Sequence, residues 1–246
     1  MTSKTPVRLL KVTALALFAL LLNVGCESAD DRQLASAQSC LDDARTEADA
    51  NLCIEKVAGI ETPAAYLVRC SANFIAQGFT GTRVASAFER MNDDTGTSGS
   101  DPMINIMGYL VFTGNSSYHN VGATVLNCQK SGVRSMERLA LVAQLATETA
   151  SLGGITNLED LDPSTIDHDQ LMQTIKTAID AVAAKTPAEL AALGQVAINL
   201  NSSLCGAGSS FEGEEVCNYM SDALAQAGSN APGQLAKHLF AILEQK

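Results

Sequence analysis

The chain has 246 residues, 46% of them hydrophobic but only 4% aromatic, with no tryptophan, 17% charged and a formal net charge of −11. That length can bury a sizeable core in one large or two small domains. An Ala- and Leu-carried apolar share argues against a disordered, collagenous or multi-span membrane chain. The acidic balance supplies no phosphate-neutralising footprint, so nucleic acid is not an expected partner.

Residues 1–25 have the three-part order of a secretory signal: basic Lys4, Arg8 and Lys11, an apolar run from Val12 to Leu22, then small residues before Cys26. The run is shorter than the roughly 20 residues that span a bilayer. The stretch Leu22-Asn23-Val24-Gly25-Cys26 resembles the lipobox of bacterial lipoproteins. Val24, Gly25 and Cys26 fit that pattern, and Asn23 stands where the family usually has Leu.

The resemblance implies that residues 1–25 are cut away. Cys26 then carries diacylglycerol and a further acyl group, palmitate being typical, and residues 26–33 form a tether. Acyl chains contribute ~0.8 kcal/mol per buried CH₂, enough to hold the body on a membrane without a transmembrane helix. In such lipoproteins Asp after the acylated Cys favours the inner membrane; this chain has Glu27 there, which implies the outer one. The alternative is ordinary secretion with Cys26 as a stray thiol, although Glu27 and Ser28 before Ala29 make a poor cleavage site. Loss of the three leader cations takes the net charge from −11 to −14.

Beyond the tether, residues 34–246 read as a helical body. Leu34, Ala37, Leu41 and Ala44 form the first apolar stripe at helical spacing. Thr62-Pro63 gives an N-cap and a first-turn proline to a helix with Leu67, Cys70 and Phe74 on one face. A shorter helix over 82–91 follows, with Val84, Ala87, Phe88 and Met91 inward, and then the Gly-, Ser-, Thr- and Asp-rich stretch 92–101, a loop or domain boundary. Residues 102–112, with Ile104, Met107, Leu110 and Val111, suit a buried helix, a strand being the alternative.

Arg134 to Leu152 forms a long helix with Met136, Leu139, Ala143, Ala146 and Ala150 on one face, Leu141 and Leu145 beside them, and Gly153-Gly154 as its stop. Two subdomains, 34–153 and 154–246, are therefore an option. Asp167 with Gln170 opens the next helix over Leu171, Ile175, Ala178, Ile179 and Val182. Thr186-Pro187-Ala188-Glu189 is a capping box heading a helix with Leu190, Leu193, Ala197, Leu200 and Leu204. Helices near 214–227 and 234–244 complete the chain, the last with Leu235, Leu239 and Ile242 inward.

No sustained two-residue alternation and no Asn-Gly or Asp-Gly hairpin turn occurs. The pattern predicts an all-α fold of about ten helices. The segment from Thr62 to Met91, with Tyr66, Ala72, Gly78 and Phe88, resembles a tetratricopeptide unit, with Val84 where the second helix of that family starts on Ala. Later helices keep no fixed period, so the expectation is an irregular helical bundle, a short helical array being the alternative.

With Cys26 set aside, Cys40, Cys53, Cys70, Cys128, Cys205 and Cys217 remain, an even number in an exported chain, for which disulfides are the default. Cys205 and Cys217 bracket the Gly- and Ser-rich stretch 206–210 between two helices, and bridging them stabilises by ~3 kcal/mol in the chain-entropy model. The other four then pair among themselves, with Cys40–Cys53 and Cys70–Cys128 preferred. No C-x-x-C or C-x-x-C-H occurs, so zinc-ribbon, thioredoxin-like and c-type haem sites lack their ligand spacing.

Among the three histidines, His119 has no carboxylate near it in sequence, and His168 lies between Asp167 and Asp169 at a helix start, where acidic residues suit the dipole. His238 falls near the C-terminal end of the last helix and reads as structural. The acidic run Glu159-Asp160-Leu161-Asp162 lacks the ligand order of an EF-hand and reads as a solvated loop. No phosphate-cradling or nucleophile motif is present.

The sequence therefore predicts no metal, no cofactor and no catalytic residue. The expectation is a membrane-anchored periplasmic or surface lipoprotein, a non-enzymatic interaction or assembly factor with an envelope protein as partner. A ligand-binding lipoprotein, with a pocket between helices for an apolar or cationic molecule, is the alternative. A hydrolase with an unrecognised site is the third reading.

Overall fold

A computed structural model of the chain describes residues 28–79, 107–113, 117–155, 161, 166–206, 215–227 and 232–244. The fold is all-α, as the pattern predicts, and no strand occurs among the described residues. The helices are α1 (Ala29–Asp43), α2 (Glu47–Lys56), α3 (Pro63–Ala76), α4 (Ser117–Lys130), α5 (Arg134–Leu152), α6 (His168–Ala183), α7 (Ala191–Leu204), α8 (Glu215–Ala227) and α9 (Pro232–Glu244).

Local chemistry starts these helices. Ser28 and Thr46 each accept from the N3 backbone N–H while Asp31 and Asp49 accept from the cap backbone, a reciprocal box at the heads of α1 and α2. The first box corrects the expected tether: residues 29–33 are the opening turns of α1, because Ser28-x-x-Asp31 satisfies the donors a helix start leaves open. The second shows why α2 forms, although no apolar stripe announces it. Thr62 caps α3 with Pro63 in its first turn, and Asp167 caps α6 by accepting from Gln170 N–H at 3.0 Å.

The helix ends are equally specified. Gly78 and Gly154 have φ of 79° and 93°, left-handed values that suit glycine, and each follows the last turn of its helix. Phe79 N–H donates to the Phe74 carbonyl and Ile155 N–H to that of Ala150, both at 3.0 Å, closing Schellman turns after α3 and α5.

The Thr186 box is displaced from where the sequence puts it. Thr186 Oγ1 donates to the Glu189 carboxylate at 2.7 Å, but 187–190 is a turn and α7 begins at Ala191. The reason is packing: the Pro187 carbonyl lies over Gly233 at the start of α9, and the Pro232 carbonyl lies over Gly194 of α7. Residues 107–110 are helical as expected, but the helix ends there and not at Phe112.

α5, α7, α9 and α6 pack in a closed ring, each against two others, and α8 lies against α7 and α9. α4 packs on the outside of α5, α3 on α4, and α1 with α2 on α3. One apolar cluster runs from Cys70 through α5 to Phe240, so it crosses the boundary expected at residue 153. Its aromatic centre is Phe74, Phe79 and Phe112, edge to face, with ring centroids 5.2–5.6 Å apart. Phe112 N–H donates at 2.9 Å to Thr147 Oγ1 on α5, pinning residues 107–113 to that helix.

Three disulfides staple the body with the expected pairing: Cys40–Cys53 joins α1 to α2, Cys70–Cys128 joins α3 to α4, and Cys205–Cys217 joins the end of α7 to α8. The second helix of the tetratricopeptide-like pair, residues 82–91, and the stretch 92–101 lie outside the described residues. The described positions of that resemblance have local reasons: Ala72 packs against Ala50 and Ala76, and Gly78 makes the left-handed turn.

The cap carboxylates carry a pH prediction. Hydrogen bonds from Ser28, Thr46 and Thr186 hold Asp31, Asp49 and Glu189 below the ordinary values of 3.8 for Asp and 4.5 for Glu. A lowered native pKa contributes stability above the ordinary value that is lost as pH falls through the native one. Half-buried Glu148 acts oppositely: burial raises its pKa despite the Gln144 hydrogen bond, so protonation above pH 4.5 relieves it. Thermal melts followed by circular dichroism should show a loss of stability below about pH 4.5 that is shallower in a D31N/D49N/E189Q variant. Identical acid slopes for both proteins would contradict the assignment.

Candidate functional site

The connection between α4 and α5 is short and tightly made. Ser131 Oγ donates to the Cys128 carbonyl at 2.6 Å and accepts from Val133 N–H at 3.1 Å, so α5 folds straight back along α4. This places Arg134, Glu137 and Arg138 on the opening turns of α5, close to the last turn of α4. From far along the chain, α7 brings its C-terminal turn to the same place. Arg138 Nε donates to the Ser203 carbonyl at 2.9 Å, a cationic partner for the open carbonyls of a helix end. The Cys205–Cys217 bridge holds that end from the other side.

Between these turns lies a groove of about 440 Å³, lined by Gln129, Arg134, Glu137, Arg138, Asn199, Ser202, Ser203 and Gly206. The described lining is polar, with two guanidiniums against one carboxylate. Gln195 Nε2 donates to Asn199 Oδ1 at 3.2 Å, which leaves the Asn199 Nδ2 as the donor that amide offers. An apolar or cationic ligand, the sequence expectation, does not match this lining; a polar molecule bearing negative charge does.

A second polar cluster sits where α3 meets α4. The Tyr66 ring lies between the Arg69 guanidinium at 4.9 Å and Lys130 Nζ at 4.8 Å, and its hydroxyl donates to the Glu61 carboxylate. Arg69 also donates to the Val57 and Ile60 carbonyls at 2.6 and 2.8 Å, so it ties the end of α2 to α3. This cluster is a clamp between helices.

Other residues singled out in the sequence fall as follows. Cys26 lies outside the described residues, as do the side chains of His119 and His168. His238 is half-buried on α9. Of the acidic run 159–162 only Leu161 is described, and it is buried, while Asp167 is occupied as the α6 cap. Among the described residues no group of three or more His, Cys, Asp or Glu could hold a metal ion. No described helix is long and apolar enough to cross a membrane.

The part of this site visible in the sequence is the Arg134 and Arg138 pair. Two arginines one helical turn apart at a helix start were visible, but Asn199, Ser202 and Ser203 are about sixty residues away. We found no match for the chain among protein-family models, curated proteins or solved structures.

Proposed function

We propose that this is an exported, lipid-anchored helical protein, held on a membrane through acyl groups on Cys26, the outer membrane in preference to the inner. In the envelope it acts as a non-enzymatic interaction or assembly factor with a protein partner. One observation carries the reading: the other six cysteines are all paired with one another, which leaves Cys26 of the lipobox-like stretch as the one without a cysteine partner in the chain. A body closed by three cystines also suits an oxidising compartment.

Acylation of the full-length chain tests this. Cells grown with labelled palmitate should yield a labelled wild-type protein and an unlabelled Cys26→Ser variant, with the three bridges persisting in both; an unlabelled wild-type chain, or label kept by the variant, would contradict the anchor. Crosslinking in the native envelope followed by gentle extraction should recover a stoichiometric protein partner, and a lone monomer would count against the assembly role. The polar groove favours a second reading, a lipoprotein that binds a small molecule.

A further inference from the structure

We infer that the groove between α4, α5 and α7 binds the oxyanion, carboxylate or phosphate, of a small polar solute. Arg134 is exposed at the first position of α5, and its guanidinium makes no hydrogen bond or ion pair among the described residues. Arg138 follows one turn later, and its Nε bond to Ser203 fixes the guanidinium plane in the groove wall. An Nε bond that orients a guanidinium preorganises it, which favours recognition of planar or tetrahedral oxyanions.

Neutral donors complete the lining. Gln129, Asn199, Ser202 and Ser203 line the same space and bring amide and hydroxyl groups to it. Val133 gives α5 no side-chain cap, so the positive end of that helix adds to the field near Arg134, while the end of α7 is already met by Arg138. Among the described lining residues two cations stand against the single carboxylate of Glu137, in a chain whose net charge is −11. A volume of about 440 Å³ accommodates a molecule the size of an amino acid or a sugar phosphate.

Glu137 distinguishes the two sources of oxyanion. A zwitterion can set its carboxylate against the arginines and its ammonium against Glu137, whereas inorganic phosphate meets Glu137 as a repulsion. The inference rests on the groove alone, so its failure leaves the Cys26 anchor untouched.

Calorimetric titration of the full-length, disulfide-bonded protein at low salt tests it, with sodium glutamate and inorganic phosphate as separate probes. At least one should bind saturably with a dissociation constant below about 1 mM. Arg134→Gln should weaken that binding about tenfold without moving the melting temperature, and Arg32→Gln on α1 should leave it unchanged. Glu137→Gln should tighten phosphate binding, and it should weaken glutamate binding where the zwitterion is bound. The absence of saturable heat with both probes overturns the proposal, as does equal weakening by Arg32→Gln and Arg134→Gln.

Discussion

Replacing Cys70 and Cys128 together by alanine is expected to lower the free energy of unfolding by about 4 kcal/mol, read from urea denaturation followed by circular dichroism. The two residues are 58 positions apart, both sulfurs are fully buried, and the bridge joins α3 to α4. Cross-linking so long a loop restricts the unfolded chain more than the bridges of 13 and 12 residues do, each of which is expected to contribute about 3 kcal/mol. Domains of this kind have about 5–15 kcal/mol in total, so the Cys70–Cys128 pair accounts for a large fraction. A loss below about 1 kcal/mol would show that the bridge does not constrain the unfolded chain as the entropy model requires. Its cross-link ties the α1–α3 layer to the core on which α5 and the groove are built.

The second large effect comes from Gly194→Ala, which should destabilise by about 3 kcal/mol. Inside an exposed helix the same change stabilises by about 1 kcal/mol, because alanine loses less backbone entropy than glycine. Here the sign inverts. A Cβ at Gly194 would fall on the Pro232 backbone carbonyl, and one at Gly233 on that of Pro187, so neither clash is relieved by turning a flexible side chain. The two contacts lock the head of α7 to the head of α9 and account for the late start of α7 behind its capping box. Thermal melts of Gly194→Ala and Gly233→Ala should both fall, and a rise in either would mean that the helices do not approach so closely.

What was legible in the sequence was what is written locally. The α5 stripe, its Gly153-Gly154 stop, the Thr62-Pro63 start and the Asp167 cap depend on residues within a few positions of one another, and each lies where its spacing places it. α2 shows no clear stripe because its short amphipathic face buries only Ala50 and Cys53, and its start is carried by the Thr46-x-x-Asp49 box. The Thr186 box reads as a helix start because its hydrogen bonds are local. The Pro187 contact with Gly233 that bends the chain after it is not local. The groove was illegible for the same reason, since the last turn of α7 meets Arg134 and Arg138 only through tertiary packing. The disulfide pairing sits between these cases: the short loop 206–210 points to Cys205–Cys217, while Cys70–Cys128 is brought together by the packing of α3 on α4.

The intact mass of the mature protein purified from the membrane fraction decides whether the chain is exported with a lipid anchor on a cystine-closed body. The expected species begins at Cys26, carries diacylglycerol and a further acyl chain, and contains three cystines with no free thiol. A mature chain that begins at Ala29 or later without acyl mass would contradict it.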